Sequence, residues 1–198
     1  IKMLSNIGII FSSSALLSSL ILIYFSIVEL KISGDKISQK IYKFSLFKLI
    51  FSLSSFLTLI AGYVYSDFSI NNVYENSHTS KPLFYKISGT WGNHEGSLLL
   101  WINILVLFSF LFLVLDKNKN KNFKLLTLIF QNLLISIFFI FLLSNSNPFA
   151  PVFPVPNEGN GLNPILQDPA LAIHPPLLYI GFVGSINLFL CSSCVLNC

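Results

Sequence analysis

Five uninterrupted apolar runs constrain this chain more than any other feature. They cover about 7–28, 45–65, 97–115, 125–143 and 175–197. An α-helix needs ~20 apolar residues to cross the hydrocarbon core of a bilayer, and each run meets that length. The runs are continuous rather than alternating, which argues against barrel strands. Of 198 residues, 54% are hydrophobic and 10% are charged, whereas a soluble domain carries about a quarter charged residues. The expectation is an all-α integral membrane protein: one membrane domain over 1–198, about five transmembrane helices and two long loops on one face. The first run is too long for the apolar part of a cleavable signal peptide and lacks a small-residue cleavage site.

The basic residues report topology. All 12 are lysines. Lys31, Lys36, Lys40 and Lys43 cluster in the 29–44 connection, with Lys48 just inside the next run. Lys117, Lys119, Lys121 and Lys124 cluster at 116–124. The segment 66–96 has only Lys81 and Lys86, and 144–174 has none. Positively charged loops stay on the inner side of a membrane. The two clusters are therefore expected inside, and 66–96 and 144–174 outside. A net charge of +4 distributed in this way marks orientation rather than a nucleic-acid surface.

The two outer segments hold all three histidines, His78, His94 and His174. Connections longer than ~12–15 residues are usually functional, so any chemistry is expected on that face. His174 precedes Pro175-Pro176. Proline suits the first helical position, which would put His174 at the mouth of the last span, with Tyr179 a turn or so deeper. An imidazole there is either a haem-iron ligand or simply a polar residue at a helix mouth.

In 91-WGNHEGSLLLW-101, a helix starting near Thr90 or Trp91 would place His94, Leu98 and Trp101 on one face. Gly92 and Gly96 form a pair of small residues four apart, which admits a close neighbour, either a helix or a flat ligand. His94 reads equally as functional or as an interfacial anchor. Glu95 points about 100° away from it. His78, in 75-ENSHTS-80, reads as a solvated loop residue. The Pro-, Gly- and Asn-rich stretch 147–164 reads as irregular loop, and Gly181 and Gly184 as packing positions in the last span. Cys191, Cys194 and Cys198 fall in or at the end of the last run. They read as buried thiols rather than as a redox or zinc site, since no second ligand pair accompanies them.

Two blocks resemble the N-terminal part of the CcmF family, the haem lyase (holocytochrome c synthase) subunit of cytochrome c maturation system I. They are 81-KPLFYKISGTWGNHEGSLLLW-101 and 145-NSNPFAPVFPVPNEGNGLNPILQDPALAIHPPLLYIGFVG-184, and 67-DFSINNVYENS-77 is similar at the expected place. The resemblance implies cytochrome c biogenesis: haem b, as substrate, is attached to apocytochrome c through thioether bonds at the outer face. It implies His174 as an axial haem ligand, and Trp91, His94, Glu95, Asp168, Pro175 and Pro176 as supporting residues. It also implies a CcmE-like haem chaperone, a CcmH-like protein that handles the apocytochrome thiols, and the lipid bilayer as partners.

The family's tryptophan-rich WWD segment and its other haem-binding histidines lie beyond the stretch that Cys198 ends. The resemblance therefore implies a second polypeptide carrying that segment, and a chain not active alone. The mitochondrial inner membrane is the expected location, with the bacterial inner membrane as the alternative and His94 and His174 on the intermembrane-space or periplasmic side. A transporter, a channel or a structural subunit of a membrane complex is the competing function class.

Overall fold

The computed structural model describes residues 3–32, 36–115, 120–161 and 167–195, with side chains up to residue 185. Seven helices follow in order: α1 Met3–Leu30, α2 Gln39–Val64, α3 Asn71–Asn76, α4 Leu83–Gly89, α5 His94–Leu115, α6 Lys121–Asn145 and α7 Pro169–Val195. Helices α1, α2, α5 and α6 are each long and apolar enough to cross a membrane. The fifth long helix, α7, has 27 residues. The chain is thus an all-helical, multi-pass membrane protein. Cys191, Cys194, Cys198 and the far end of the fifth run lie outside the described side chains. So do Lys117 and Lys119.

Helices α1, α2, α5 and α6 form a four-helix bundle. Helix α1 packs on α2 and α6, and α5 closes the square against the same two. Helix α7 lies outside the square, against α5 and α4. The described part of the core falls into two apolar clusters. One is centred on Leu59, Tyr63, Leu99, Ile102, Phe139 and Phe149. The other, toward the lysine-rich end, holds Leu22, Ile41, Leu113, Leu125 and Leu128.

Between lipid-like surfaces the hydrophobic effect no longer drives helices together, so small side chains and interhelical hydrogen bonds take over. This bundle uses both. Ser12 and Ser55 share a hydrogen bond at 2.6 Å, as do Ser19 and Ser136. Ser52 donates to Asn103 Oδ1 at 3.0 Å. Lys48, fully buried, donates to Asn132 Oδ1 at 2.6 Å and to Ser109 Oγ at 3.4 Å. These polar side chains inside the apolar runs thus meet one another across helix pairs.

At the lysine-rich end, Lys121 lies 3.3 Å from the Glu29 carboxylate and donates to the Ile32 carbonyl at 3.2 Å. The opposite end carries all three histidines. There the segment 66–93, read from sequence as a long loop, contains the short helices α3 and α4. It zips onto 147–161 around the isolated bridge Ile70–Pro151. Asn71 N–H donates to Ala150 O at 2.8 Å, Val152 N–H to Ser69 O at 2.9 Å, and Asn160 N–H to Tyr74 O at 2.8 Å. Phe149 is fully buried against Gly8, where any larger residue would collide with its ring. Ser5 Oγ donates to the Phe149 carbonyl at 2.6 Å. The histidine end is therefore an ordered cap on the bundle, even though 147–161 forms no helix.

Candidate functional site

Helix α7 begins a turn and a half earlier than its double proline suggests. Asp168 caps it: Oδ1 accepts from Ala170 N–H at 2.7 Å and from Leu171 N–H at 3.2 Å. Pro169 then takes the first helical position, where a missing N–H costs nothing. His174 is accordingly inside the helix, and Pro175 and Pro176 are interior prolines, not the helix start expected from sequence. An interior proline removes the hydrogen bond to the carbonyl four residues back and crowds it. Two adjacent prolines leave two carbonyls, Leu171 and Ala172, without their helical donors. One is answered from outside the helix: the Trp91 indole Nε1–H donates to Ala172 O at 2.8 Å.

Trp91 sits in the turn that joins α4 to α5. Its ring stacks on Phe56 of α2, with centroids 6.5 Å apart. The turn itself is pinned by Asn93, whose Oδ1 accepts from Gly96 N–H at 2.7 Å, capping α5. The Asn93 amide donates to Gly89 O at 2.9 Å and to the Tyr63 hydroxyl at 2.9 Å. Tyr63 in turn donates to Asn72 Oδ1 at 2.6 Å. Asn72 Nδ2 donates to Asn93 Oδ1 at 2.8 Å and to Glu95 Oε2 at 3.2 Å. Glu95 therefore faces this network and not His94. Gly96 does not serve close approach of another helix or a ligand, as expected from sequence. A side chain there would collide with the Thr90 carbonyl of its own turn.

His94 opens α5 and is exposed. It lies on the rim of a groove between α5 and α7. The upper chamber, about 260 Å³, is lined by Trp91, Asn93, His94, Ala172, Pro175 and Tyr179, among others. The lower chamber, about 410 Å³, is apolar: Leu98, Trp101, Leu178 and Phe182 line it together with His94, Ser97 and Tyr179. His94, Leu98 and Trp101 thus share one cavity wall. The Trp101 ring packs on Phe138 at 4.6 Å.

His174 lines neither chamber. It is exposed on α7, three residues after Leu171, which borders the upper chamber, and four before Leu178, which borders the lower. Its imidazole is therefore accessible beside the groove mouth. Among the described residues, no three His, Cys, Asp or Glu side chains converge on a metal position. His78 stands apart, in the cap, with Ser80 and Glu158 around it. A Cβ on Gly184 would meet the Phe108 ring at contact distance, whereas one on Gly181 would meet open space. The sequence reading missed Tyr63, Asn72 and Asn93, which build the turn. The signal was weak, because asparagines in polar connections carry no periodicity.

The fold and this site define a helical, multi-pass membrane protein whose one end carries an exposed histidine beside an amphipathic groove. Residues 91–197 match the cytochrome C assembly protein family, and the chain belongs to that family. It is 44% identical over 158 residues to the cytochrome c-type biogenesis protein CycK of Bradyrhizobium diazoefficiens, covering 80% of this chain and 24% of that protein. It is 55% identical over 130 residues to CycK of Rhizobium meliloti, covering 66% of this chain and 19% of that protein. The fold is similar to a solved structure titled cytochrome c heme lyase CcmF, with a TM-score of 0.74 and 24% identity, over 92% of this chain and 28% of that one. The chain spans about a quarter of the length of the curated relatives it matches.

Proposed function

We propose that this chain is the haem-handling N-terminal portion of a membrane haem lyase in cytochrome c biogenesis. In this reading His174 supplies an axial nitrogen to the iron of a substrate haem, haem b. The observation that carries it is the placement of His174 within the family-matched segment, exposed on α7 next to a groove whose upper part mixes polar and apolar side chains and whose lower part is apolar. A porphyrin is flat and amphipathic, and it suits such a boundary. An imidazole is a strong axial ligand for its iron. His94 borders the same groove, and its role here is to shape the mouth. The lysine distribution orients the histidine end toward the intermembrane space or periplasm. The absence of Arg together with many Ile, Asn and Lys is the codon signature of an AT-rich genome such as an organelle's, and this supports a mitochondrial inner membrane.

Thioether formation requires apocytochrome thiols, a haem chaperone and the rest of the family's length. Their handling proteins, CcmE-like and CcmH-like, are the partners in this reading. Trp91, Asp168, Pro175 and Pro176 act by holding the His174 turn in place, and Glu95 by holding the Asn72–Asn93 turn.

The test is co-expression of the chain with the remaining family segments, followed by spectroscopy of the purified membrane complex. Wild type should retain haem with a Soret band typical of nitrogen ligation. His174→Ala should lose or shift that band and lower cytochrome c yield by at least ten-fold, while His78→Ala leaves both unchanged. Equal haem retention and yield in His174→Ala would remove the ligand assignment.

A further inference from the structure

A helix containing His174-Pro175-Pro176 has a structural problem that the chain solves at a distance. Pro176 has no N–H, so the Ala172 carbonyl loses its helical partner. Ala172 is almost fully buried, and leaving a buried carbonyl unsatisfied is destabilising. The donor that replaces the missing N–H comes from Trp91, 81 residues away, at 2.8 Å. The Trp91 ring is stacked on Phe56 of α2, and its turn is fastened by Asn93. This bond therefore ties the four-helix bundle to the turn of α7 that bears His174. Among the described residues, helix α7 packs mainly along α5 and lightly on α4.

We propose that Trp91 is a positioning residue for His174: its indole N–H substitutes for the amide that Pro176 removes and sets where the His174 turn docks on α5. This inference rests on the proposed haem role only for what His174 then does. The docking itself is independent of haem. On this proposal tryptophan is not replaceable by another large ring, because phenylalanine keeps the stack on Phe56 but has no donor for Ala172. It also explains why the two family blocks belong together. The W-G-N-H-E-G turn supplies what the H-P-P helix lacks.

The experiment is a two-residue cycle on the full chain in its membrane complex. Spin labels at Phe84 of α4 and Ile180 of α7 report the docking distance. Trp91→Phe should broaden the distance distribution and lower the docked population several-fold, up to about ten-fold, the range of one neutral hydrogen bond. Pro176→Ala restores an amide donor to Ala172. In that background Trp91→Phe should have little further effect. A Trp91→Phe effect of the same size in both backgrounds, or none in either, would overturn the proposal.

If Trp91→Phe fails to fold, a second measurement still decides. The chain has two tryptophans, so Trp101→Phe, with isotope-labelled tryptophan supplied to this chain alone before assembly, leaves Trp91 as the one labelled indole for ultraviolet resonance Raman. Its N–H band should sit at the hydrogen-bonded position and shift in Pro176→Ala. A free-indole band before that change would refute the latch. Haem spectra of the same variants separate the two ideas. A wild-type spectrum in His174→Ala with an intact docking pattern removes the haem reading and leaves the latch standing.

Discussion

Nζ of Lys48 lies 2.6 Å from Oδ1 of Asn132, with both residues fully buried in the bundle. Lys48 is ten residues into α2 and Asn132 twelve into α6, so the pair lies well inside the apolar layer. Its other partner is the Ser109 hydroxyl, so the amine is held by neutral groups. Cutting one member of such a pair costs more than removing both, because the survivor keeps its desolvation penalty. Lys48→Met is expected to destabilise the bundle by about 1–3 kcal/mol. Adding Asn132→Leu should recover part of the loss rather than add to it, since contacting residues are not additive. Thermal unfolding of the four variants in one detergent measures the cycle. Strict additivity would mean that the contact contributes nothing.

Asn72 is the hub of the histidine end. Its side chain meets Tyr63, Asn93 and Glu95 at once. Replacing it with alanine removes the amide that meets Asn93 Oδ1 and the Glu95 carboxylate, while the Tyr63 hydroxyl keeps the Asn72 backbone carbonyl at 3.0 Å. The expected loss is about 2 kcal/mol in stability. Tyr63→Phe removes only one member and should cost less. The 90–93 turn should loosen in Asn72→Ala, so amide exchange of Trp91 and Gly92 should accelerate while that of mid-bundle amides stays slow. Equal acceleration throughout the bundle would point to global unfolding and against a local hub.

Two glycines give a matched pair. A Cβ on Gly96 would run into the Thr90 carbonyl, which is backbone and cannot step aside cheaply. Gly181 on α7 has nothing within 4 Å of the same position. Gly96→Ala is therefore expected to destabilise the chain by at least 1–3 kcal/mol, as overpacking does. Gly181→Ala should be neutral or stabilising by up to about 1 kcal/mol, because alanine is the better helix former. Expression level and melting temperature separate the two. Comparable losses would show that Gly181 faces a partner in the assembled membrane complex.

Much of this architecture is legible in the residues, for physical reasons that differ from element to element. The helical runs 7–28, 45–65, 97–115 and 125–143 are read easily because a bilayer permits few alternatives to a helix. The structure begins each of these helices a few residues earlier, where polar residues such as Asn6, Gln39, His94 and Lys121 still join the helical hydrogen bonding. The double proline makes His174 read as a helix-mouth residue with the helix starting at Pro175, whereas α7 starts at Pro169 and contains it. Proline favours the first turn, and the sequence offers that signal twice. The capping Asp168 decides between them, through two hydrogen bonds that composition does not reveal. The Trp91–Ala172 bond was invisible, since nothing local says that a carbonyl at 172 needs a donor from 91. Lys48 was seen only as an inward extension of a basic cluster. Its pairing with Asn132 depends on the packing of α2 against the rest of the bundle.

The cap that joins the two loops at the histidine end carries a carboxylate with a definite pH response. Glu158 accepts from the Thr79 hydroxyl at 2.7 Å and from its N–H at 3.0 Å. Those two bonds, with the Gly159 N–H and the nearby His78, hold its pKa below the ordinary 4.5 despite slight desolvation. A depressed pKa means that the folded state favours the ionised form. The clasp contributes in full above the unfolded pKa and is lost as pH falls through the lowered folded value. Above the ordinary 4.5 the 78–80 segment should stay fastened to 158, and it should release as pH falls through the lowered folded value. Labels at Lys81 and Asn157 should report a longer distance once acid titration has passed that value than at neutral pH. Glu158→Gln, which cannot ionise, should abolish that pH dependence and leave one intermediate distance at every pH. An undiminished acid response in Glu158→Gln would assign the change to another group.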